Sequence, residues 1–191
     1  MRSLRRTAFP LLVMATAACG PDAPRRGIVF DEPAPAGALA LTRFTGEPFD
    51  IAALRDTVVL VYFGYTHCPD VCPTTLSDWA GARRALGDRA DRVRFVFVTV
   101  DPLRDTKEVA HGYALQFDSS FVGLSGTPEE IKAIGEAWHF AAYPEGDTRS
   151  RDYSVAHPAY TYLVDRRGRL RVLYEPGVRG EDLAAEIREF L

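Results

Sequence analysis

The sequence predicts an α/β fold on three observations. Two continuous apolar and β-branched runs, Val58 to Tyr65 and Val93 to Val100, read as strands buried on both faces. The segment between them carries Leu76, Trp79 and Leu86 at helical spacing, which makes a βαβ unit with a parallel strand pair. Late in the chain, Ala159 to Val164 and Leu170 to Tyr174 flank Asp165-Arg166-Arg167-Gly168 as strand, tight turn and strand. A length of 191 residues with 47% hydrophobic and 26% charged side chains suits one folded core and excludes disordered and fibrous classes. The net charge of −3, from 23 basic and 26 acidic residues, leaves no basic excess to hold a phosphate backbone, so no nucleic acid partner is expected.

The remaining elements follow in order. A helix over Pro73 to Leu86 closes the βαβ unit. Thr106 to Phe117 places Val109, Tyr113 and Phe117 four apart, on one face of a second helix. Phe121 to Leu124 is a short strand. Thr127-Pro128-Glu129-Glu130 supplies an N-cap, a proline at the first helical position and a capping-box glutamate, ahead of Ile131, Ile134 and Trp138 on one face. Leu183, Ile187 and Phe190 mark a terminal helix. This order, with a cysteine pair at the end of the first buried strand, is the thioredoxin-like arrangement: a central, mostly parallel sheet, flanking helices, and a C-terminal β-hairpin plus helix.

The N-terminus differs in kind. Arg2, Arg5 and Arg6 precede the apolar run Ala8 to Ala18, which is too short for a bilayer crossing of about 20 residues and reads as a signal peptide over residues 1–18. Thr16-Ala17-Ala18-Cys19 resembles a bacterial lipobox, so Cys19 is the expected acylation site. Loss of the three arginines takes the net charge from −3 to −6. Residues 19–40, rich in Pro, Ala and Gly, read as a tether, and residues 41–191 as the folded domain. The expected location is the bacterial cell envelope, with the domain anchored through an N-terminal lipid and facing the periplasm or the outer side of the cytoplasmic membrane.

Three cysteines are an odd number for an exported chain. With Cys19 lipidated, Cys68 and Cys72 remain as a pair. A disulfide closing so short a loop restrains the unfolded chain little, so a reactive or metal-binding pair is the better reading. Pro73 at the first helical position would put Cys72 at the N-cap and Cys68 in the loop before it, where free N–H groups and the helix dipole stabilise a thiolate. Two thiolates are soft ligands that favour Cu(I) or Zn, and an imidazole would complete a site for cycling copper. Of the four histidines, His67 adjoins Cys68 but points away, and His111 and His139 are expected on helices as surface or packing residues. His157, just before a strand, stands where thioredoxin-like folds bring a residue over the cysteines. Asp70 is expected to cap the helix rather than to bind metal, Asp101 to make a turn before Pro102, and Tyr65, Tyr153 and Trp79 to be core or rim aromatics.

The run Tyr62-Phe63-Gly64-Tyr65-Thr66-His67-Cys68-Pro69-Asp70-Val71-Cys72-Pro73, then Val98-Thr99-Val100-Asp101-Pro102 with Arg104-Asp105-Thr106, then Gly126 to Ile131, then Asp152 to His157 and Tyr162-Leu163-Val164-Asp165, resembles the SCO/SenC family of cytochrome oxidase assembly proteins. Ala156 and Pro158 depart from the family's usual residues at those places. The resemblance implies one copper ion bound through Cys68, Cys72 and His157. It also implies delivery of copper to, and help in assembling, the CuA centre of cytochrome c oxidase subunit II. A second periplasmic copper chaperone or a thiol reductant is the other implied partner. The alternative function is thiol–disulfide exchange by Cys68 and Cys72 that reduces the cysteines of the oxidase copper site. A thiol peroxidase is a third reading, but only Thr66, and no arginine, is near Cys68 in sequence.

Overall fold

The computed structural model describes residues 26–150 and 152–191. The expected signal peptide, Cys19 and the first part of the expected tether lie outside the described residues. Among the described residues ten strands and four α-helices run in the order β1 (Gly27–Val29), β2 (Ala40–Thr42), β3 (Pro48–Asp50), β4 (Val58–Gly64), α1 (Val71–Leu86), β5 (Val93–Thr99), α2 (Lys107–Leu115), β6 (Val122–Leu124), α3 (Pro128–Ala137), β7 (Tyr143–Glu145), β8 (Ser154–Ala156), β9 (Thr161–Val164), β10 (Leu170–Tyr174) and α4 (Gly180–Ile187).

Six strands form the central sheet in the order β1-β10-β9-β4-β5-β6. The β4–β5 and β5–β6 pairs are parallel, as the βαβ pattern requires, whereas β9 joins β4 antiparallel and β10 and β1 follow antiparallel. The sheet is therefore mixed rather than mostly parallel, because the late hairpin and the N-terminal strand extend it on one side. Two small hairpins, β2–β3 and β7–β8, lie outside it.

Every residue of β4 is buried, which explains its unbroken apolar run. Alternation along the strand sends Tyr62 and Phe63 to opposite faces. On the first face Tyr62 meets Trp79 of α1 and Phe97 of β5, and Phe97 meets Tyr113 of α2. On the second, Phe63 packs edge-on to Trp138 just after α3 and to Tyr162 of β9. The two aromatic layers clamp the sheet from both sides. The indole N–H of Trp79 is satisfied inside by donating to Thr161 at 3.2 Å.

Sequence expectation and structure agree on α3, where the Thr127–Glu130 capping box is formed in both directions. They differ on α2, whose fully buried residues are Ala110 and Ala114, while Val109 is exposed. The cause is close approach: a Cβ on Gly123 of β6 would lie only 2.1 Å from the Ala110 carbonyl oxygen, so this helix meets the strand through small residues. Tyr113 and Phe117 flank that contact.

The expected tether is corrected from Gly27 onward. β1 pairs with β10, Ala36 N–H donates to Gly168 O at 2.9 Å, and Leu170 N–H donates to Ala34 O at 2.9 Å. Trp138 donates its indole N–H to Ala38 O at 3.1 Å, and Leu39 is fully buried. An extended, Pro-containing segment has the wrong periodicity for a helix, but it suits covering a sheet edge, whose open N–H and C=O groups need partners. Leu39→Ala is accordingly expected to cost about 3 kcal/mol of stability in urea unfolding; a free tether would give no change.

Candidate functional site

The site forms where β4 ends. At Gly64 the backbone has no room for a side chain: a Cβ would stand 2.6 Å from the Tyr62 ring and 3.0 Å from the Cys72 sulfur. The chain turns through Tyr65 to Asp70, with Cys68 N–H donating to Tyr65 O at 3.3 Å, and enters α1. The helix starts two residues earlier than Pro73 suggests. Cys72 is the second helical residue and Pro73 the third, where a missing N–H costs nothing because the first-turn donors have no intrahelical partner.

Asp70 occupies the N-cap position but makes no side-chain capping bond. The Cys68 sulfur takes that part. It accepts from Cys72 N–H at 3.4 Å and from Asp70 N–H, so a sulfur rather than a carboxylate sits at the positive end of the helix. Both cysteines are free thiols, Cys68 half-buried and Cys72 fully buried. The Cys72 S–H donates to the Cys68 sulfur; with the backbone N–H groups and the nearby His157, this bond outweighs burial and draws the Cys68 thiol down to about 5. Cys72 is held far above the ordinary thiol value, first because its proton is engaged by Cys68 and then by burial. Its own sulfur accepts from the Tyr65 N–H and from the Tyr62 hydroxyl, the latter at 3.5 Å.

His157, between β8 and β9, reaches the same end of the sheet. Its ring lies edge-on to Tyr65 at 5.7 Å and to Tyr62 at 6.3 Å, measured between centroids. Burial lowers its pKa, against smaller opposing effects of the Pro158 carbonyl and Cys68, so the imidazole is neutral near pH 7. Nδ1 stands 3.0 Å from Pro158 O. A carbonyl only accepts, so the ring proton resides on Nδ1 and Nε2 keeps its lone pair for a metal. Among the described residues no three His, Cys, Asp or Glu side chains are close enough together to hold a metal ion. The structure thus brings the two sulfurs together and sets His157 nearby without closing the trio.

The other histidines are placed otherwise. His67 is half-exposed, with Nδ1 at 3.2 Å from the Thr66 hydroxyl and 3.6 Å from Asp105. His111 stacks on Phe44 at 4.0 Å on α2. His139 does not lie on a helix but just beyond α3, in the left-handed region at φ 58°.

A buried polar frame that sequence reading missed holds the site. Asp105, fully buried, accepts from Thr66 N–H at 2.9 Å, Thr66 Oγ1 at 2.6 Å and Thr99 Oγ1 at 2.6 Å. Asp101 makes the expected turn, its carbonyl accepting from the N–H groups of Arg104 and Asp105, and its carboxylate also binds the Tyr153 hydroxyl at 2.6 Å and the Arg104 guanidinium. The fold therefore brings an arginine close that was absent from the local sequence. Arg104 is committed, lying 3.5 Å over the Tyr153 ring and paired with Asp101. The only signal for this frame was the density of Asp, Thr and Arg in residues 99–106, which a turn explains equally well.

A family model described as SCO1/SenC matches residues 31–191. The chain belongs to the SCO1/SenC family. A SCO2-like protein of Rickettsia prowazekii is 37% identical over 134 residues, covering 70% of this chain and 65% of that relative, so the match spans just under two thirds of its length. The copper-bound structure of Bradyrhizobium japonicum ScoI superposes with a TM-score of 0.75 at 37% identity, covering 83% of this chain and all of the other. Apo Sco1 of Thermus thermophilus superposes at 0.80 with 36% identity, covering 90% of this chain and all of that one. The thioredoxin-like α/β class is thus shared with Sco structures.

The contrast between the two SCO1/SenC cysteines has a direct readout. Alkylation of the reduced protein by iodoacetamide should modify Cys68 with an apparent pKa near 5, so that its rate is already close to maximal at pH 7 and falls as the pH drops through that value. Cys72 should stay unmodified throughout, as peptide mass mapping would show.

Proposed function

We propose that this chain binds one copper ion as cargo through Cys68, Cys72 and His157. It delivers that copper to the CuA centre of cytochrome c oxidase subunit II. The observation that carries this reading is the donor set at one end of β4: two free thiols linked by the Cys72 N–H bond to the Cys68 sulfur at 3.4 Å, and a neutral imidazole with Nε2 bare. Soft thiolates and imidazole suit Cu(I) and Cu(II) together, whereas hard cations prefer oxygen ligands. The copper-bound ScoI of Bradyrhizobium japonicum, at 37% identity, supports the same cargo. Membership of SCO1/SenC supports a role in oxidase assembly.

Cys72 is deeply buried and Cys68 is not, which sets an order of events. Cys68, already a thiolate near neutral pH, is the sulfur that meets incoming copper and the first to pass it on to a partner's thiolate. Cys72 is the inner ligand and loses its proton on binding, since metal ligation requires the thiolate. His157 closes the set by moving from its place beside Tyr65 and Tyr62 toward the sulfurs. No helix of the described residues is long and apolar enough to cross a membrane; attachment through a lipid on Cys19 would keep the domain beside a membrane-bound oxidase.

A second reading, thiol–disulfide exchange with the cysteines of the oxidase copper site, is favoured by the same asymmetry. An accessible low-pKa thiol paired with a buried one suits attack by Cys68 on a partner disulfide and release by Cys72. Titration of the reduced protein with Cu(I) against a competing chelator separates the two. One-to-one tight binding, weakened about 10- to 100-fold or more in His157→Ala and nearly abolished in Cys68→Ser and Cys72→Ser, is the expected result. Weak binding indifferent to His157 would leave exchange as the function.

A further inference from the structure

The β4 strand reads Val58-Val59-Leu60-Val61-Tyr62-Phe63, and every side chain in it is buried. Phenylalanine would pack at position 62 as well as tyrosine does. A hydroxyl buried there costs free energy unless it is hydrogen-bonded. The Tyr62 hydroxyl donates to the Cys72 sulfur at 3.5 Å. Thr75, one turn into α1, is itself buried and bears on the Tyr62 hydroxyl from the donor side. Tyr62 therefore addresses the inner sulfur of the pair, with Thr75 behind it. The ring of Tyr62 also meets that of His157.

We infer that Tyr62, backed by Thr75, is a tuning residue whose hydroxyl stabilises the Cys72 sulfur in its reduced and metal-bound forms, and so sets the redox poise of the Cys68–Cys72 pair. The inference rests on the reading that these two cysteines work as a pair, but it does not need copper. A thiol or thiolate sulfur accepts a hydrogen bond better than a disulfide sulfur, whose electron density is lower, so the donor favours the dithiol. In the copper-loaded protein the same bond withdraws density from the sulfur, and hydrogen bonding at a cysteine ligand is one of the means by which proteins tune a copper site. Donation from Thr75 strengthens donation from Tyr62, since hydrogen bonds in a chain polarise one another.

The test is made on Tyr62→Phe and Thr75→Val in the otherwise intact protein, with far-UV circular dichroism confirming the fold. In the metal-free protein the Cys68–Cys72 disulfide is equilibrated with reduced and oxidised dithiothreitol. One dithiothreitol gives two electrons and two protons to the protein disulfide, breaking that S–S bond and closing its own. Tyr62→Phe is expected to shift this equilibrium toward the disulfide by about tenfold, which is ~30 mV in potential. Thr75→Val is expected to shift it the same way by less. After loading with Cu(II), the sulfur-to-copper absorption band of Tyr62→Phe should move to longer wavelength. Potentials equal to wild type in both variants would overturn the inference, and should Tyr62→Phe not fold, an unshifted Thr75→Val would do so alone. Failure of the wild-type protein to bind copper would defeat the copper reading while leaving the dithiothreitol measurement to judge Tyr62.

Discussion

The buried carboxylate of Asp105 is the contact on which the site depends. It accepts three hydrogen bonds from two segments, the loop after β4 at Thr66 and the end of β5 at Thr99. Losing that acceptor would leave the buried Thr99 hydroxyl and the half-buried Thr66 N–H and hydroxyl without their partner, at a cost of about 1–3 kcal/mol for the buried donor and less for each half-buried one. Asp101 extends the frame through the Tyr153 hydroxyl to the β7–β8 hairpin, which leads into His157. The cysteine loop and the histidine loop, far apart in sequence, are therefore fastened to the same turn. A site built of two pieces needs such a common support, because placement errors at either piece add at the ligand atoms.

The two sulfurs differ although they are four residues apart. The helix N-terminus offers free N–H groups, and Cys68 collects them in place of an Asp70 cap. Cys72 turns inward, where the apolar face of β4 allows one polar neighbour, Tyr62. One sulfur is thus half-exposed at the helix N-terminus and the other faces the core. His157 adds a neutral, proton-oriented imidazole near the pair.

The strands β4 and β5, the helix between them, α3 with its capping box, and the late hairpin were legible because each is written in local periodicity or a local cap. The cysteine pair and His157 stood out in the sequence because their residue types are rare, and the fold sets His157 at the cysteine end of β4. The edge strand β1 and the packing of Leu39 were not, since a Pro-rich extended segment looks the same in sequence whether it is free or paired. The small-residue contact of Ala110 and Ala114 on Gly123 was hidden for a related reason. Hydrophobic spacing reports which residues prefer burial, while the depth of approach is set by the partner strand.

By itself the sequence determined the α/β class, the βαβ core, the sulfur pair at the end of the first buried strand and the histidine that the fold sets near it. Those follow from periods of two and 3.6 residues and from the chemistry of cysteine and histidine, which act within a few positions. The tertiary structure alone decided that Asp105 and Asp101 tie the two loops together, that Tyr62 addresses Cys72, and that Cys68 rather than Asp70 meets the helix N-terminus. Each of these turns on which polar groups are left without water once the sheet and helices close, and burial is a property of the whole fold.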